Sequence, residues 1–260
     1  MKRIESRENK WVKRLNGLKI KKNRDKEGVF VAEGLRFISE VPVDWAVEAY
    51  VISDTFANEN DCSMYEEKAD VLCMPDALFA SVCDTENPQG ILAVCKKLNW
   101  DTDAVFAKEK PFFILAEELN DPGNLGTVIR TADACGADAV FLSKGSVDLY
   151  NAKVLRSTMG SMFHVPVFQN VDLHEISVKL KENDIPLYAA HLKGDTYPYG
   201  LNLDNACAFI IGNEARGLSD DAADLCDRWV KIPMPGQAES LNASIAAGVL
   251  MYEVVRQRLK

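Results

Sequence analysis

Residues 112–143 read FFILAEELNDPGNLGTVIRTADACGADAVFLS, and their pattern decides the fold. Two short apolar runs, FFILAEEL and DAVFLS, bracket a segment with helical spacing. The first strand should end near Leu119. Asp121, Pro122, Gly123, Asn124 and Gly126 then make a loop rich in turn formers, and a helix should begin near Leu125. Leu125, Val128, Ile129 and Ala132 recur at i, i+3, i+4 and i+7, so they share the buried face. At about 100° per residue Arg130 lies about 140° from Leu125 and projects off that face. Further strand-like runs follow at HVPVFQ, PLYAAHL, CAFIIGNE and WVKIPM, with helical patterns between most of them. Strands that alternate with helices imply a parallel sheet covered by helices on both faces, an α/β fold.

Upstream, GVFVAEGLRFISEVP reads as a strand, a turn at Gly34 and a helix, and AVEAYVISD, ADVLCMP and ILAVCKK as further strands. The polar stretch NWDTDAVFAKEK, residues 99–110, is the best linker. The expected division is therefore an N-terminal α/β domain over 1–98, a linker over 99–110 and a second domain over 111–260, all within ordinary domain size.

Charge is unevenly placed. Residues 1–26 carry eleven Lys/Arg and three Asp/Glu, a balance of +8, which leaves −17 on the other 234 residues of a chain whose net charge is −9. A basic segment on an acidic body is the electrostatic footprint of a polyanion contact, so residues 2–26 are expected to form a helical or partly mobile arm that captures RNA. A solvated basic helix has the same composition. The seven cysteines are odd in number and contain no C-x-x-C pair, and the three histidines form no H-E-x-x-H. Neither a disulfide framework nor a metal site is expected. With no long apolar run and no signal-peptide pattern, the expectation is a cytoplasmic protein with no membrane contact.

Three loops carry chemistry. In the first, Arg130 stands near a glycine-rich helix start, where free N–H groups favour anions, so a phosphate or ribose could sit there. A plain strand-to-helix turn with a surface arginine fits the same pattern. The second, FIIGNEARGLSDDAADLC (209–226), runs a strand into Gly212-Asn213-Glu214. Gly212 and Gly217 allow unusual backbone angles or close approach, Ser219 can cap the next helix, and Glu214 sits at a strand's carboxyl end, where α/β ligands bind. The third, VKIPMPGQAESLNASIAAGVLMYEVVRQRL (230–259), has an apolar, donor-poor wall from Ile232 to Gly236 that suits an adenine ring or a methylthio group. Ser240 or Asn242 caps a terminal helix that is apolar nearly all round, and so must be buried in the core or against a partner subunit. No G-x-G-x-x-G, P-loop or G-x-S-x-G occurs.

In this order and spacing the three loops resemble the SpoU/TrmH family of the SPOUT class. The resemblance spans residues 112–258 and rests on NLGTVIRTADACGA, IIGNEARGLS and IPMPGQAESLNASIAAGVLMYE. A weaker match around VFVAEGLRFISE and NPQGILAV resembles the family's N-terminal RNA-binding domain. The resemblance implies a trefoil-knotted parallel sheet, a homodimer through the knotted domain, and S-adenosyl-L-methionine as cofactor, used to methylate a ribose 2′-hydroxyl in RNA. It carries catalytic positions to Arg130, Asn124, Glu214, Ser240 and Asn242. Cofactor-binding positions fall on His191, Leu192, Gly194, Ile211, Gly212, Asn213, Ile232, Met234, Leu241 and Ser244. Ribosomal RNA is the preferred substrate because a separate N-terminal domain accompanies the catalytic one. Transfer RNA is the alternative, and a non-catalytic RNA-binding protein on the same fold is the rival from another class. A doubly wound small-molecule enzyme is disfavoured by the missing phosphate fingerprints.

Overall fold

A computed structural model describes residues 1–259. The chain forms two compact units. The first contains Met1–Asn99 and Tyr150–Phe163, the second Trp100–Leu149 and the chain from His164 onward.

In the first unit, β1 (Lys2–Arg3), α1 (Lys10–Leu18) and α2 (Lys21–Glu27) precede β2 (Val29–Glu33), α3 (Leu35–Ser39) and β3 (Val47–Ser53). After these come α4 (Asp54–Glu59), α5 (Ser63–Lys68), β4 (Asp70–Met74), α6 (Asp76–Val82) and β5 (Ile91–Lys96). The sheet order is β1-β4-β3-β5-β2. β5 runs antiparallel to β3 and β2, and β4 parallel to β1 and β3.

The basic segment takes the helical of its two expected forms, as α1 and α2, and packs on the sheet. Ile4, Val12, Leu15 and Leu18 are buried in one cluster with Val51, Leu72 and Leu92 of the sheet. Asn9 caps α1, its side chain accepting from the Trp11 N–H. Part of the charge is spent internally: Arg14 pairs with Glu27 at 2.7 Å and Glu48 at 2.5 Å, and Arg3 with Asp54 at 2.6 Å. Charge counting could not see the apolar spacing of Val12, Leu15 and Leu18 beneath it. Leu15→Ala should therefore cost about 3 kcal/mol of stability, as for other buried leucines. Urea unfolding of the full chain measures this, and a cost under about 0.5 kcal/mol, the surface-substitution range, would return the segment to the status of an appendage.

The second unit begins with α7 (Thr102–Phe106), then β6 (Phe112–Ala116), α8 (Pro122–Ala134) and β7 (Ala139–Ser143). α9 (Ala152–Thr158) lies in the first unit. The chain returns as β8 (Val167–Val171), α10 (Leu173–Glu182), β9 (Leu187–Ala190), β10 (Cys207–Ile211), α11 (Asp220–Asp224), β11 (Arg228–Val230) and α12 (Ala243–Arg258). The sheet order is β11-β9-β10-β6-β7-β8, every pair parallel. All five residues of β6 are fully buried, as expected for a parallel strand covered on both faces. Phe113 and Leu115 point into a cluster with α7, α10 and α11. By strand alternation Phe112, Ile114 and Ala116 point to the other face, where α8 packs on α12 and α12 on β10.

Two stretches depart from the sequence reading. Residues 99–110, expected as a linker, contain α7, whose Val105 and Phe106 are buried in the core of the second unit. Residues 150–163, inside the span expected for the second domain, pack in the first. The Tyr150 ring lies 4.8 Å from Phe30, and Phe163 lies 5.2 Å from Phe37 and 4.9 Å from Trp45.

Candidate active site

Strands β9, β10 and β11 end side by side, and the loops after them enclose a cavity of about 340 Å³. That position, beyond the carboxyl ends of parallel strands, is where α/β folds bind ligands, and the volume lies at the lower end of small-molecule sites. His191 and Leu192 line it from the first loop, Ile211, Gly212, Asn213 and Glu214 from the second, and Ile232, Met234, Ser240 and Leu241 from the third. Ten of the fifteen residues expected from the sequence thus share one cavity.

The loop after β10 is held rigid by its own bonds. Asn213 and Gly217 exchange backbone hydrogen bonds of 3.0 and 2.9 Å. The Asn213 side chain accepts from the Ala215 and Arg216 N–H groups and donates to the Glu118 carbonyl at 2.8 Å. Gly217 takes a φ of +72°. At Gly212 a Cβ would lie 2.2 Å from the Gly217 carbonyl carbon and the Leu218 nitrogen, so only glycine fits.

Asn124, Glu214 and Asn242 are linked in series. Asn242 Nδ2 donates to Asn124 Oδ1 at 2.9 Å, and Asn124 Nδ2 donates to Glu214 Oε1 at 3.1 Å. Glu214 also accepts from the backbone N–H groups of Asn120 at 3.1 Å and Asp121 at 2.9 Å. The helix start where an external anion was expected is therefore served by protein carboxylates. Asp121 caps α8 by accepting from the Asn124 N–H at 2.8 Å, and Pro122 occupies the first turn. This cap starts the helix at Pro122 rather than Leu125. Asn242, not Ser240, caps α12, accepting from the Ser244 and Ile245 N–H groups and from the Ser244 hydroxyl.

Burial raises the Glu214 pKa, but the bonds from Asp121, Asn124 and Asn120 outweigh it and hold the carboxyl below its ordinary value. These bonds hold Glu214 in the carboxylate form, where it clamps the chain before α8. A depressed carboxyl pKa stabilises the fold above the unfolded-state value, and that stability is lost as pH falls through the folded-state value. Glu214→Gln places an amide N–H₂ among donors. The variant should lose stability at neutral pH and show a weaker dependence of stability on pH below the ordinary glutamate range. Denaturant midpoints measured from pH 7 down to pH 3 test this, and parallel curves for the two proteins would remove the clamp assignment.

His191 is held neutral: burial lowers its pKa first, and Lys193 adds to the effect. Its ring lies 4.4 Å from Trp229. Gly194 and Ser244 do not line the cavity. Gly194 lets its loop pass against β11, where a Cβ would meet the Trp229 carbonyl at 2.7 Å, and Ser244 is buried behind Asn242. Arg130 does not line the cavity either. It is exposed on α8, and among the described residues its side chain has no hydrogen-bond or ion-pair partner.

The sequence reading passed over Arg216 and Glu239, the other charged lining residues. Arg216 lay within the quoted IIGNEARGLS, and its ion pair with Glu118 is a contact across 98 positions that no local pattern reveals. Among the described residues no group of three or more His, Cys, Asp or Glu is placed to hold a metal ion.

A family model described as the SpoU rRNA Methylase family matches residues 111–252, and one described as an MRM3-like substrate binding domain matches residues 9–93. The 23S rRNA (guanosine(2553)-2′-O)-methyltransferase RlmP of Bacillus subtilis (strain 168) is 35% identical over 261 residues, covering 98% of this chain and 99% of its own. The AdoMet-bound rRNA methyltransferase of Sinorhizobium meliloti superposes with a TM-score of 0.88 at 27% identity, over 100% of this chain and 99% of its own. The SpoU methyltransferase AviRb from Streptomyces viridochromogenes, in complex with AdoMet, does so with a TM-score of 0.88 at 29% identity, over 97% and 99%.

Proposed function

The chain belongs to the SpoU rRNA methylase family, and from that premise we propose that it methylates a ribose 2′-hydroxyl of ribosomal RNA with S-adenosylmethionine. The observation that carries this reading is the Asn242–Asn124–Glu214 series, which ties segments 118 and 90 residues apart to the cavity through Glu214, the one of the three that lines it.

The residues present fit the cofactor. Leu192, Ile232, Met234 and Leu241 offer an apolar wall for adenine, Gly212 lets its loop fold tightly against Gly217 and Leu218, and the backbone of the loops after β9, β10 and β11 would supply donors and acceptors for the ribose. When bound, the cofactor supplies a methyl group already activated on a sulfonium. The protein then has to orient a weakly acidic hydroxyl, since positioning supplies much of the rate.

Arginine stays protonated in proteins, so Arg130 is no base. It holds a substrate phosphate and stabilises the negative charge that grows on the 2′-oxygen. The proton leaves to that phosphate, because three donors already engage the Glu214 carboxylate. Asn124 and Asn242 fix the start of α8 and Ser240 orients the ribose at the cavity wall.

Arg130 stands outside the cavity on α8, and α12 packs beside it. Along α12, Ile245, Val249 and Tyr252 recur at i, i+4 and i+7 and are 54%, 43% and 57% exposed. An apolar stripe of this kind supports a homodimer in which Arg130 serves the partner's cavity. Family membership supports the trefoil-knotted form of the second unit, with the loops after β9, β10 and β11 folded over one another. The first unit, matched by the substrate-binding model, is the RNA-recognition domain. Among the described residues no helix is long and apolar enough to cross a membrane, and we place the protein with its substrate in the cytoplasm.

The test is transfer of a labelled methyl group to unmethylated ribosomal RNA followed by alkaline hydrolysis. A 2′-O-methyl ribose blocks cleavage, so the label should appear in alkali-resistant dinucleotides. Label confined to mononucleotides would reassign the chemistry to a base, and label in transfer RNA alone would move the substrate.

A further inference from the structure

The first unit carries a second cavity, of about 280 Å³, that the methyl-transfer site does not use. It opens where β2 turns into α3 at Gly34 and is completed by the end of α9, within residues 150–163. Arg36 and Arg156 both line it, and both are exposed. Among the described residues the side chain of neither makes a hydrogen bond or an ion pair. Paired arginines such as Arg3, Arg14 and Arg256 show what an idle surface arginine does in this acidic chain. Arg36 and Arg156 are instead left unpaired over one cavity.

The rest of the cavity divides by chemistry. Phe37 and Met159 supply apolar surface, while Asn87 and Gln89 supply side-chain amides. Gln89 is fixed in place: its Oε1 accepts from the Leu35 N–H at 2.8 Å, which leaves its amide N–H₂ free to donate. Gly34, at a φ of +97°, makes room for that contact, since a Cβ would lie 3.0 Å from Gln89 Oε1. The one acid, Glu33, is engaged by the Asp84 and Thr85 N–H groups at 2.8 and 3.1 Å and by the Thr85 hydroxyl. Met159 adopts a left-handed φ of +53°, a conformation that costs energy in a non-glycine residue and persists where the surroundings impose it.

We propose that this cavity takes one unpaired nucleotide of the RNA substrate, with Arg36 and Arg156 on its phosphates, its base against Phe37 and Met159, and the amides of Asn87 and Gln89 on the base edge. Cations for phosphate, an apolar wall and fixed amides are what recognition of a splayed-out base requires. The charge around the cavity suits RNA backbone as well. An adjoining cavity shares Glu33 and Arg156 and adds Lys19, Arg24 and Lys153 against one further acid, Asp84. This inference deepens the RNA-recognition role proposed for the first unit and rests on it.

The experiment uses the full chain and three probes: an RNA hairpin with an unpaired loop, a fully paired RNA duplex of equal length, and the four nucleoside 5′-monophosphates. The wild-type protein should bind the hairpin at least tenfold more tightly than the duplex. The double substitution of Arg36→Gln and Arg156→Gln should weaken hairpin binding by about a hundredfold and reduce the slope of log K against log salt by about 1.4, the value for two phosphate contacts to single strands. Gln89→Ala should reduce the preference for hairpin over duplex without changing the salt slope. S-adenosylhomocysteine affinity and the far-ultraviolet circular dichroism spectrum should stay unchanged in every variant, which shows that both units remain folded.

Equal affinity for hairpin and duplex, or unaltered hairpin binding in the double variant, would overturn the proposal while leaving methyl transfer by the wild type untouched. Monophosphates that bind as tightly as the hairpin would also overturn it, in favour of a free nucleotide. Failure of the wild type to bind or methylate any RNA would remove this inference and the reading beneath it together.

Discussion

Replacing Arg130 by glutamine should lower methyl transfer by about a thousandfold, the scale set by loss of one donor that stabilises developing negative charge, and leave cofactor affinity unchanged. The two halves of this result follow from separate facts. Arg130 does not line the cavity and makes no hydrogen bond or ion pair among the described residues, so its removal should disturb no cofactor contact. Its guanidinium is exposed and without a partner among the described residues, so it is available to an incoming phosphate. Single-turnover methylation of RNA reads the first half, and calorimetric titration with S-adenosylhomocysteine reads the second. Near-normal turnover in the variant would end the assignment.

The same residue tests the dimer. If Arg130 acts in the partner's cavity, an inactive Arg130→Gln chain and a chain with an inactivated cavity should complement each other when mixed. One of the two sites in each heterodimer would then be complete, so random mixing restores about a quarter of wild-type activity in a two-fold symmetric assembly. Arginine acting within its own chain predicts no recovery at all.

The chain with the inactivated cavity should be Gly212→Ala, for which we expect at least a hundredfold loss of cofactor affinity. An added Cβ would lie 2.2 Å from backbone atoms of Gly217 and Leu218 and 2.4 Å from the Gly217 carbonyl oxygen. Backbone cannot swing aside as a long side chain can. To admit the methyl group, the Asn213–Gly217 pair of hydrogen bonds has to open, and with it the loop that forms one wall of the cavity. Gly217→Ala is the informative control. Its Cβ meets nothing within 4 Å, and the cost is confined to a φ of +72°, about 1–2 kcal/mol for a left-handed residue other than glycine. Equilibrium dialysis with labelled cofactor, alongside far-ultraviolet circular dichroism to verify folding, separates the two variants. Equal affinities in Gly212→Ala and wild type would show that the loop yields and that close packing there is incidental.

Local pattern was sufficient wherever neighbours in sequence decide the outcome. Leu125, Val128, Ile129 and Ala132 are all fully buried and Arg130 is exposed, as helical spacing requires. The strands announced by apolar runs in both halves are present, and Ser219 caps α11. Membership of the family, and with it the chemistry, was also readable, because three loops had to match in order.

Only the tertiary structure decided what distant residues do to one another. It joined Glu214 to Asn124, 90 positions away, and to the backbone N–H groups just before α8. It folded the basic segment onto a core through Val12, Leu15 and Leu18, and lent residues 150–163 to the first unit. The reason is physical: helical and strand periodicities are set by backbone geometry within a few residues, whereas partner choice among buried polar groups depends on which chain segments the packed sheet brings together.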